Sequence, residues 1–181
     1  SYCRNRRKGS IGVYDAEKVV FPLTYTAKER DFRFVPLDSQ TRLSLAEILE
    51  KHPKGLEYGS ILAGYETYPI LMDSRGTVLS MPPVINSEAT RVTAETRNVV
   101  VDVTGLDWRT INMVLNIMVS ALAERHGRIE SVRANYEYAV EPGRESVTPD
   151  LSPHQMRLEL EAVRKLLGLN PNMQQVASLL E

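Results

Sequence analysis

The run from Pro69 to Pro83 constrains the fold more than any other stretch of this chain. Pro69-Ile70-Leu71-Met72 is apolar, Asp73-Ser74-Arg75-Gly76 is turn-forming, and Thr77-Val78-Leu79-Ser80 is apolar again. Two short apolar runs around a four-residue turn that ends in glycine read as an antiparallel hairpin. Pro82-Pro83 then ends the second strand, because neither residue has an amide proton for a ladder. A hairpin this well specified commits the chain to a sheet.

The flanking segments add strands and helices in an irregular order. Phe32 and Phe34 alternate with Arg33, as on a half-exposed strand. Ser44-Leu45-Ala46-Glu47 is a capping-box pattern, so a short helix is predicted over 44–51, stopped by Pro53 and Gly55, with another near 57–62. Residues 84–97 are polar and loop-like, and 98–103 is a Val-rich strand. Thr104 or Asp107 caps a long helix reaching about His126, with Gly127 beyond it. Its apolar residues occur nearly all round, which predicts burial between layers. Alternation over 129–140 predicts a strand returning to the sheet.

Composition shifts at Pro142-Gly143 and stays Pro- and charge-rich to Pro149, which reads as a linker. Ser152-Pro153-His154-Gln155 is a second capping-box pattern, opening a helix that ends at Leu167 before Gly168. Asn170-Pro171 opens another. The expected plan is α+β: one domain over 1–141 with mixed or antiparallel sheets layered with helices. Residues 142–181 follow as a linker and a truncated two-helix start of the next domain. Both ends look like interior points of a longer chain.

Chemistry read from residue types alone is sparse. Lys and Arg number 22 against 23 Asp and Glu, so any nucleic-acid partner is not held by net charge. The three histidines are far apart in sequence, and no HExxH, CxxC or Cys/His cluster occurs, so no metal is expected. Neither a GxGxxG nor a P-loop pattern is present, and no GxSxG elbow supplies a nucleophile. One cysteine, Cys3, fits a reducing cytosol, and no apolar run is long enough to span a membrane.

Three sets of residues remain as candidates. Asp102 and Thr104 are two apart on a strand and share a face. A carboxylate and a hydroxyl there can hold a polar ligand, or can simply form a solvated strand face. The Arg4, Arg6, Arg7, Lys8 cluster suits RNA phosphates, or is a solvated chain end. Tyr65, Tyr68, Tyr136 and Tyr138 suit base stacking, or belong to the core and sheet surface.

Several blocks in order resemble the beta subunit of phenylalanyl-tRNA synthetases of the archaeal/eukaryotic branch, in its editing (B3/B4) domain. They are Gly9-Ser10-Ile11-Gly12-Val13-Tyr14-Asp15 leading to Pro22-Leu23-Thr24-Tyr25-Thr26-Ala27-Lys28, then Tyr68 through Asn86 with Leu79-Ser80-Met81-Pro82-Pro83-Val84-Ile85-Asn86 at its end. Val101-Asp102-Val103-Thr104-Gly105-Leu106-Asp107 and Thr148-Pro149-Asp150-Leu151-Ser152 complete the set. The last block is similar to the start of the following, B5-like domain.

The resemblance implies post-transfer editing: hydrolysis of the ester in Tyr-tRNA specific for Phe. It implies Asp102, Thr104 and Ser80 as catalytic positions and Leu71 as an apolar wall for the aromatic ring, with Asn86 and Glu88 at the mouth. Asp102 and Thr104 would hydrogen-bond the tyrosyl hydroxyl, the α-ammonium or the terminal ribose. The implied partners are the acceptor end of tRNA(Phe) carrying Tyr and the alpha subunit of an (αβ)₂ enzyme in the cytoplasm. No cofactor is implied for this domain, ATP and Mg belonging to the full synthetase. The alternative is an editing-inactive scaffold or tRNA-contact module of the same subunit.

Overall fold

Three sheets and a hairpin of strand fragments carry the structure, a computed structural model that describes residues 3–140, 143–153 and 155–180. Strands β1 (Gly9–Asp15), β2 (Thr24–Glu29), β3 (Arg33–Phe34) and β4 (Leu43–Ser44) precede helices α1 (Leu45–Lys51) and α2 (Pro53–Tyr58). Strands β5 (Thr67–Met72), β6 (Val78–Met81), β7 (Ile85–Asn86) and β8 (Val99–Gly105) lead to helix α3 (Trp108–Ala123). Strands β9 (Val132–Val140) and β10 (Gly143–Thr148) and helices α4 (Leu160–Leu167) and α5 (Met173–Leu180) follow. The class is α+β. The chain divides into two compact units, Ser1–Asp150 and Leu151–Glu181.

In the first unit, β2, β5, β6 and β7 form a four-stranded antiparallel sheet in the order β2-β5-β6-β7. The expected hairpin is its centre. The Asp73 carboxylate organises the turn by accepting from the amides of Thr77 (2.8 Å), Arg75 (2.9 Å) and Val20 (3.2 Å). Gly76, at φ 83°, completes the turn in the left-handed region, where a side chain would be strained. Burial alone would raise the Asp73 pKa, but the amides of Thr77, Val20 and Arg75 outweigh it and hold the group below its ordinary value.

The sheet is covered on both faces. Tyr68, Ile70, Val78, Met81 and Ile85 pack with Leu45 and Ile48 of α1 and Tyr58 of α2 in the larger core. Leu71 and Leu79 point the other way and pack with Tyr14 and Val19 in a smaller one. The ladder slips between Leu71 and Met72: Leu71 faces Ser80 and Met72 faces Val78, which leaves Leu79 without a partner. That bulge puts Leu79 and Ser80 together on the side of β1. Among the described residues, strands β1 and β8 pair with each other only, as a separate antiparallel sheet.

The capping box at Ser44 is present: Glu47 N donates to Ser44 Oγ (3.1 Å) and Ser44 N donates to Glu47 Oε2 (2.9 Å). Pro53 does more than stop α1. It opens α2 at the first turn, with His52 Nδ1 accepting from Lys54 N (3.1 Å). The helix expected at 57–62 therefore starts earlier and ends in a 3-10 turn at Gly59–Leu62. Asp107, not Thr104, caps α3, accepting from the amide of Thr110 (2.6 Å).

Three expectations are corrected. Helix α3 is not enclosed: Val114 alone is buried, and Ile117 is half exposed. All-round apolar patterning states a need for cover without saying what supplies it. Strand β9 pairs only with β10 among the described residues and does not rejoin a larger sheet. Residues 143–148, read as linker, are β10 itself. Its polar composition suits an exposed hairpin strand, where Arg133 on β9 meets Glu145 on β10 at 2.8 Å.

The second unit holds α4 and α5. No helix covers residues 151–153 or 155–159, so α4 starts later than the Ser152 pattern predicts. Met156 and Leu158 there are exposed, and a first turn without apolar cover gains little from propensity alone. His154 lies outside the described residues. Helix α4 does stop at Gly168. Helix α5 is opened by a reciprocal cap, with Gln175 N donating to Asn172 Oδ1 and Asn172 N donating to Gln175 Oε1, both at 2.9 Å. No helix among the described residues is long and apolar enough to cross a membrane.

Asp73→Ala should destabilise the first unit by about 3 kcal/mol, since it orphans three amides that bind a charged acceptor. The Asp73 contribution is present above the ordinary aspartate pKa, because its folded value is depressed, and is lost as pH falls through that folded value. Urea unfolding of wild type and variant at pH 7 and pH 3 checks both statements; equal stability at pH 7 would contradict them.

Candidate active site between two sheets

A row of directly opposed residues crosses the four-stranded sheet: Tyr25 faces Leu71, Leu71 faces Ser80, and Ser80 faces Asn86. Opposed residues share a face. Three residues singled out from sequence, Leu71, Ser80 and Asn86, therefore lie side by side on the face turned toward β1. On the other sheet, Gly12 faces Asp102 and Ser10 faces Thr104. The period of two puts Ser10, Gly12 and Tyr14 on one face of β1, matching Asp102 and Thr104 of β8.

Tyr14 joins the two sheets. Its hydroxyl lies 2.8 Å from Ser80 Oγ and hydrogen-bonds Asp102 Oδ1. The ring is 1% exposed and packs with Leu71, Leu79 and Val19. A hydroxyl has one proton to give. Given to the Asp102 carboxylate, it leaves the Ser80 hydroxyl as donor in the other bond. Burial, then the charge of Asp102, push the Tyr14 hydroxyl far above an ordinary phenol, so it stays protonated.

Asp102 is pushed up to about 6 by burial, with the Tyr14 hydrogen bond opposing the rise. At neutral pH it is mostly ionised and can accept a proton. Gly12 makes this arrangement possible. A Cβ there would fall on the Tyr14 hydroxyl and the Asp102 carboxylate, so any side chain at position 12 displaces the pair.

A small cleft opens beside this group, lined by Arg6, Gly12, Tyr14, Ser80, Asn86 and Asp102 among others. Its free space is about 10 Å³, room for about one water or one hydroxyl group. Asp102, Ser80 and Asn86 line it. Thr104 flanks it through a 2.8 Å hydrogen bond with Ser10, which does line it. Leu71 supports it from beneath as part of the core around Tyr14. Glu88 does not reach the cleft. It pairs with Arg91 at 3.0 Å and accepts from the amide of Asp38 at 2.9 Å.

Arg6 has a structural task. It donates to the carbonyls of Pro83 and Val84, each at 2.8 Å, and its guanidinium lies 4.0 Å from the centre of the Tyr58 ring. Arg4, Asn5 and Arg6 adopt left-handed backbone at φ 43°, 54° and 65°, a turn that costs roughly 1 kcal/mol or more per residue. The bonds of Arg6 hold the Pro82-Pro83 turn between β6 and β7 against that cost. Of the basic cluster, Arg4, Arg7 and Lys8 remain exposed. Among the tyrosines expected to stack or to fill the core, Tyr68 is core, while Tyr65 and Tyr138 are exposed.

Tyr14, Gly12, Ser10 and Tyr25 were not singled out by sequence reasoning, and Arg6 was singled out only for RNA phosphates. The alternation Ser10, Gly12, Tyr14 was the available signal for the first three. Tyr25 is 56% exposed, and its hydroxyl is raised by packing around it, then by the charge of Asp102 and by Tyr138. Among the described residues, no group of three or more His, Cys, Asp or Glu side chains is gathered to hold a metal ion.

The chain that carries this carboxylate and its two hydroxyls at the seam of two sheets has known relatives. The family model of the B3/4 domain matches residues 2–142, and the chain belongs to that family. Over its whole length the chain is 49% identical to the phenylalanine–tRNA ligase beta subunit of Pyrococcus abyssi and covers 32% of that protein. It is 50% identical to that of Thermococcus gammatolerans, again over its whole length, covering 31%. A crystal structure of an N-terminal fragment of the phenylalanyl-tRNA synthetase beta subunit from Pyrococcus horikoshii superposes with a TM-score of 0.91 at 47% identity. That match covers 99% of this chain and 51% of the fragment. The chain is thus a B3/4 domain with a following segment, similar to archaeal phenylalanine–tRNA ligase beta subunits and spanning about a third of their length.

Keeping an aspartate where burial opposes its charge has a measurable consequence. The folded Asp102 pKa is raised, so the native state holds its proton more tightly than the unfolded chain, and stability is lost as pH rises from the ordinary value to about 6. Asp102→Asn should stabilise the fold at pH 7.5 by about 1–3 kcal/mol. The gain should vanish near pH 4, where wild type is protonated as well. Chemical unfolding at the two pH values checks this, and a variant less stable than wild type at pH 7.5 would contradict the burial argument.

Proposed function

We propose that this chain is an editing site: it hydrolyses the ester linking tyrosine to tRNA(Phe), acting within a phenylalanine–tRNA ligase. The observation that carries the proposal is the cleft shared by Asp102, Ser80 and Tyr14 in a chain of the B3/4 family. Phe and Tyr differ by one hydroxyl, and an apolar synthetic pocket rejects an added hydroxyl only about 100-fold. A site built to bind that hydroxyl rejects the analogue lacking it by about 10⁴ or more, because its polar groups are then left unpaired. A polar cleft with room for one hydroxyl or water suits either the reading group or the attacking water.

The chemistry follows from the groups present. Water attacks the ester carbonyl carbon, the bond from that carbon to the ribose oxygen breaks, and tyrosine and uncharged tRNA leave. Asp102, ionised above about pH 6, takes the proton of the water and returns one to the departing ribose oxygen. Ser80 and Thr104 orient the water or substrate hydroxyls, and the free hydroxyl of the terminal ribose assists by proximity. Leu71 holds the apolar side through the Tyr14 ring, and Asn86 stands at the edge of the cleft. Glu88 has no part in the reaction as proposed. No cofactor is drawn from this domain; ATP and Mg²⁺ belong to the ligase reaction of the longer enzyme.

The same reading supplies the partners. The acceptor end of tRNA(Phe) carrying Tyr is the substrate, the alpha subunit of an (αβ)₂ assembly holds the synthetic site, and the setting is the cytoplasm. The segment after the first unit is proposed to begin the next, B5-like domain. With a formal net charge of −1 the chain alone should bind tRNA weakly and in a salt-sensitive way.

Hydrolysis of Tyr-tRNA and Phe-tRNA, both on tRNA(Phe), tests the proposal. Tyr should be released faster, Asp102→Ala and Thr104→Ala should slow it about 100-fold, and Ser80→Ala about tenfold. The rate should rise with pH through an acid limb near 6 and then level, following ionisation of Asp102. If neither ester is cleaved by this chain, nor by the whole synthetase that contains it, the scaffold or tRNA-contact reading replaces this one.

A further inference from the structure

The proposed catalytic groups come from two sheets that share no ladder. Ser80 is on β6 of the four-stranded sheet and Asp102 on β8 of the two-stranded one. Side chains alone must therefore keep them in register, and the Tyr14 hydroxyl is bonded to both. Its ring is locked in the smaller core, so the hydroxyl cannot swing away without unpacking Leu71 and Leu79. Tyr14 is also far from any role as acid or base at neutral pH, since its proton is held too tightly.

We infer that Tyr14 is a positioning residue for this site: its one hydroxyl couples Ser80 to Asp102 and sets which of them meets the substrate as donor and which as acceptor. With Asp102 ionised, Tyr14 donates to the carboxylate and Ser80 donates to Tyr14, so the lone pairs of Ser80 and the second carboxylate oxygen both accept. With Asp102 protonated the chain of bonds reverses: the carboxyl donates to Tyr14, Tyr14 donates to Ser80, and the Ser80 proton is released toward the cleft. The substrate α-ammonium, the ribose hydroxyl and the attacking water are all donors, so the ionised arrangement is the competent one. The inference rests on the editing reading for its kinetic arm only.

The groups facing this relay are few. Tyr14 approaches Asp102 from β1 and Tyr25 from β2, Tyr138 of β9 lies near Tyr25, and Arg6 shares the cleft wall. Arg6 is engaged by two carbonyls and does not compensate for loss of the Tyr14 hydroxyl.

Tyr14→Phe keeps the ring and removes the hydroxyl, and two measurements on it decide the matter. The first is the titration of Asp102 by carbon-detected magnetic resonance of the side-chain carboxyl, which needs no substrate. The second is the pH profile of Tyr-tRNA hydrolysis. Loss of the one hydrogen bond that favours the charged form should move both the titration and the acid limb upward by about one pH unit. At pH 6.5 kcat should fall about tenfold while KM stays within about twofold, as expected when positioning and not affinity is lost. An unmoved titration with an unmoved acid limb in the folded variant overturns the inference. If Tyr14→Phe does not fold, Ser80→Ala takes its place: it removes the donor behind Tyr14 and should raise the Asp102 titration by less, with no shift counting against the relay. If wild type cleaves neither ester, the editing reading fails while the titration still tests the relay.

Discussion

The hydrogen bond between Tyr14 and Asp102 is the contact on which the rest of this site depends. A carboxylate at the seam of two sheets loses solvation, and the loss drives its pKa up toward neutrality. The tyrosine limits that rise without neutralising the charge, because a phenol this deeply buried donates a hydrogen bond and keeps its proton. Gly12 leaves the space in which the two meet. Ser80, delivered to the same point by a slip in the β5–β6 ladder, completes the group. One hydroxyl, one missing side chain and one bulge thus determine where the chemistry can occur.

Those features have a cost in stability, which the surrounding fold offsets. Burying an ionisable group with one hydrogen-bond partner works against folding at neutral pH. So does a turn of three left-handed residues at Arg4 to Arg6. The opposing contributions lie close by. Asp73 gathers three amides at the β5–β6 turn, and Arg6 clamps the Pro82-Pro83 turn between two carbonyls and the Tyr58 ring. Both supports fix the ends of β6, the strand that carries Ser80. Rigid ends on a short strand hold a side chain to a narrow range of positions, as a preorganised site requires.

The parts of this account that were legible in the sequence are local ones. The Asp73 hairpin, the Ser44 capping box and the stop at Gly168 each depend on a few adjacent residues whose side chains act on their own backbone. Asp102 and Thr104 on one face followed from strand periodicity, and Leu71, Ser80 and Asn86 entered through family resemblance. The sequence does not state which strands pair, so the row from Tyr25 to Asn86 and the role of Tyr14 were hidden. Both arise from contacts between residues far apart in the chain. Composition misled in two places for related reasons. A polar strand in an exposed hairpin reads as a linker, and a helix with apolar residues all round reads as enclosed whether or not its cover is present. Glu88 lay close in sequence to Asn86, but the short 3-10 turn after β7 carries it to Arg91 and away from the cleft.

The central claim is the proposal that this chain selects a tyrosyl over a phenylalanyl ester. It is tested most directly without turnover, by calorimetric binding of two non-hydrolysable mimics of the tRNA end: adenosine bearing tyrosine, or phenylalanine, through a 3′-amide. The account predicts that the tyrosyl compound binds this chain about 10⁴-fold more tightly, as a site that hydrogen-bonds the ring hydroxyl should achieve. Equal affinity for the two compounds in the wild-type chain would contradict it.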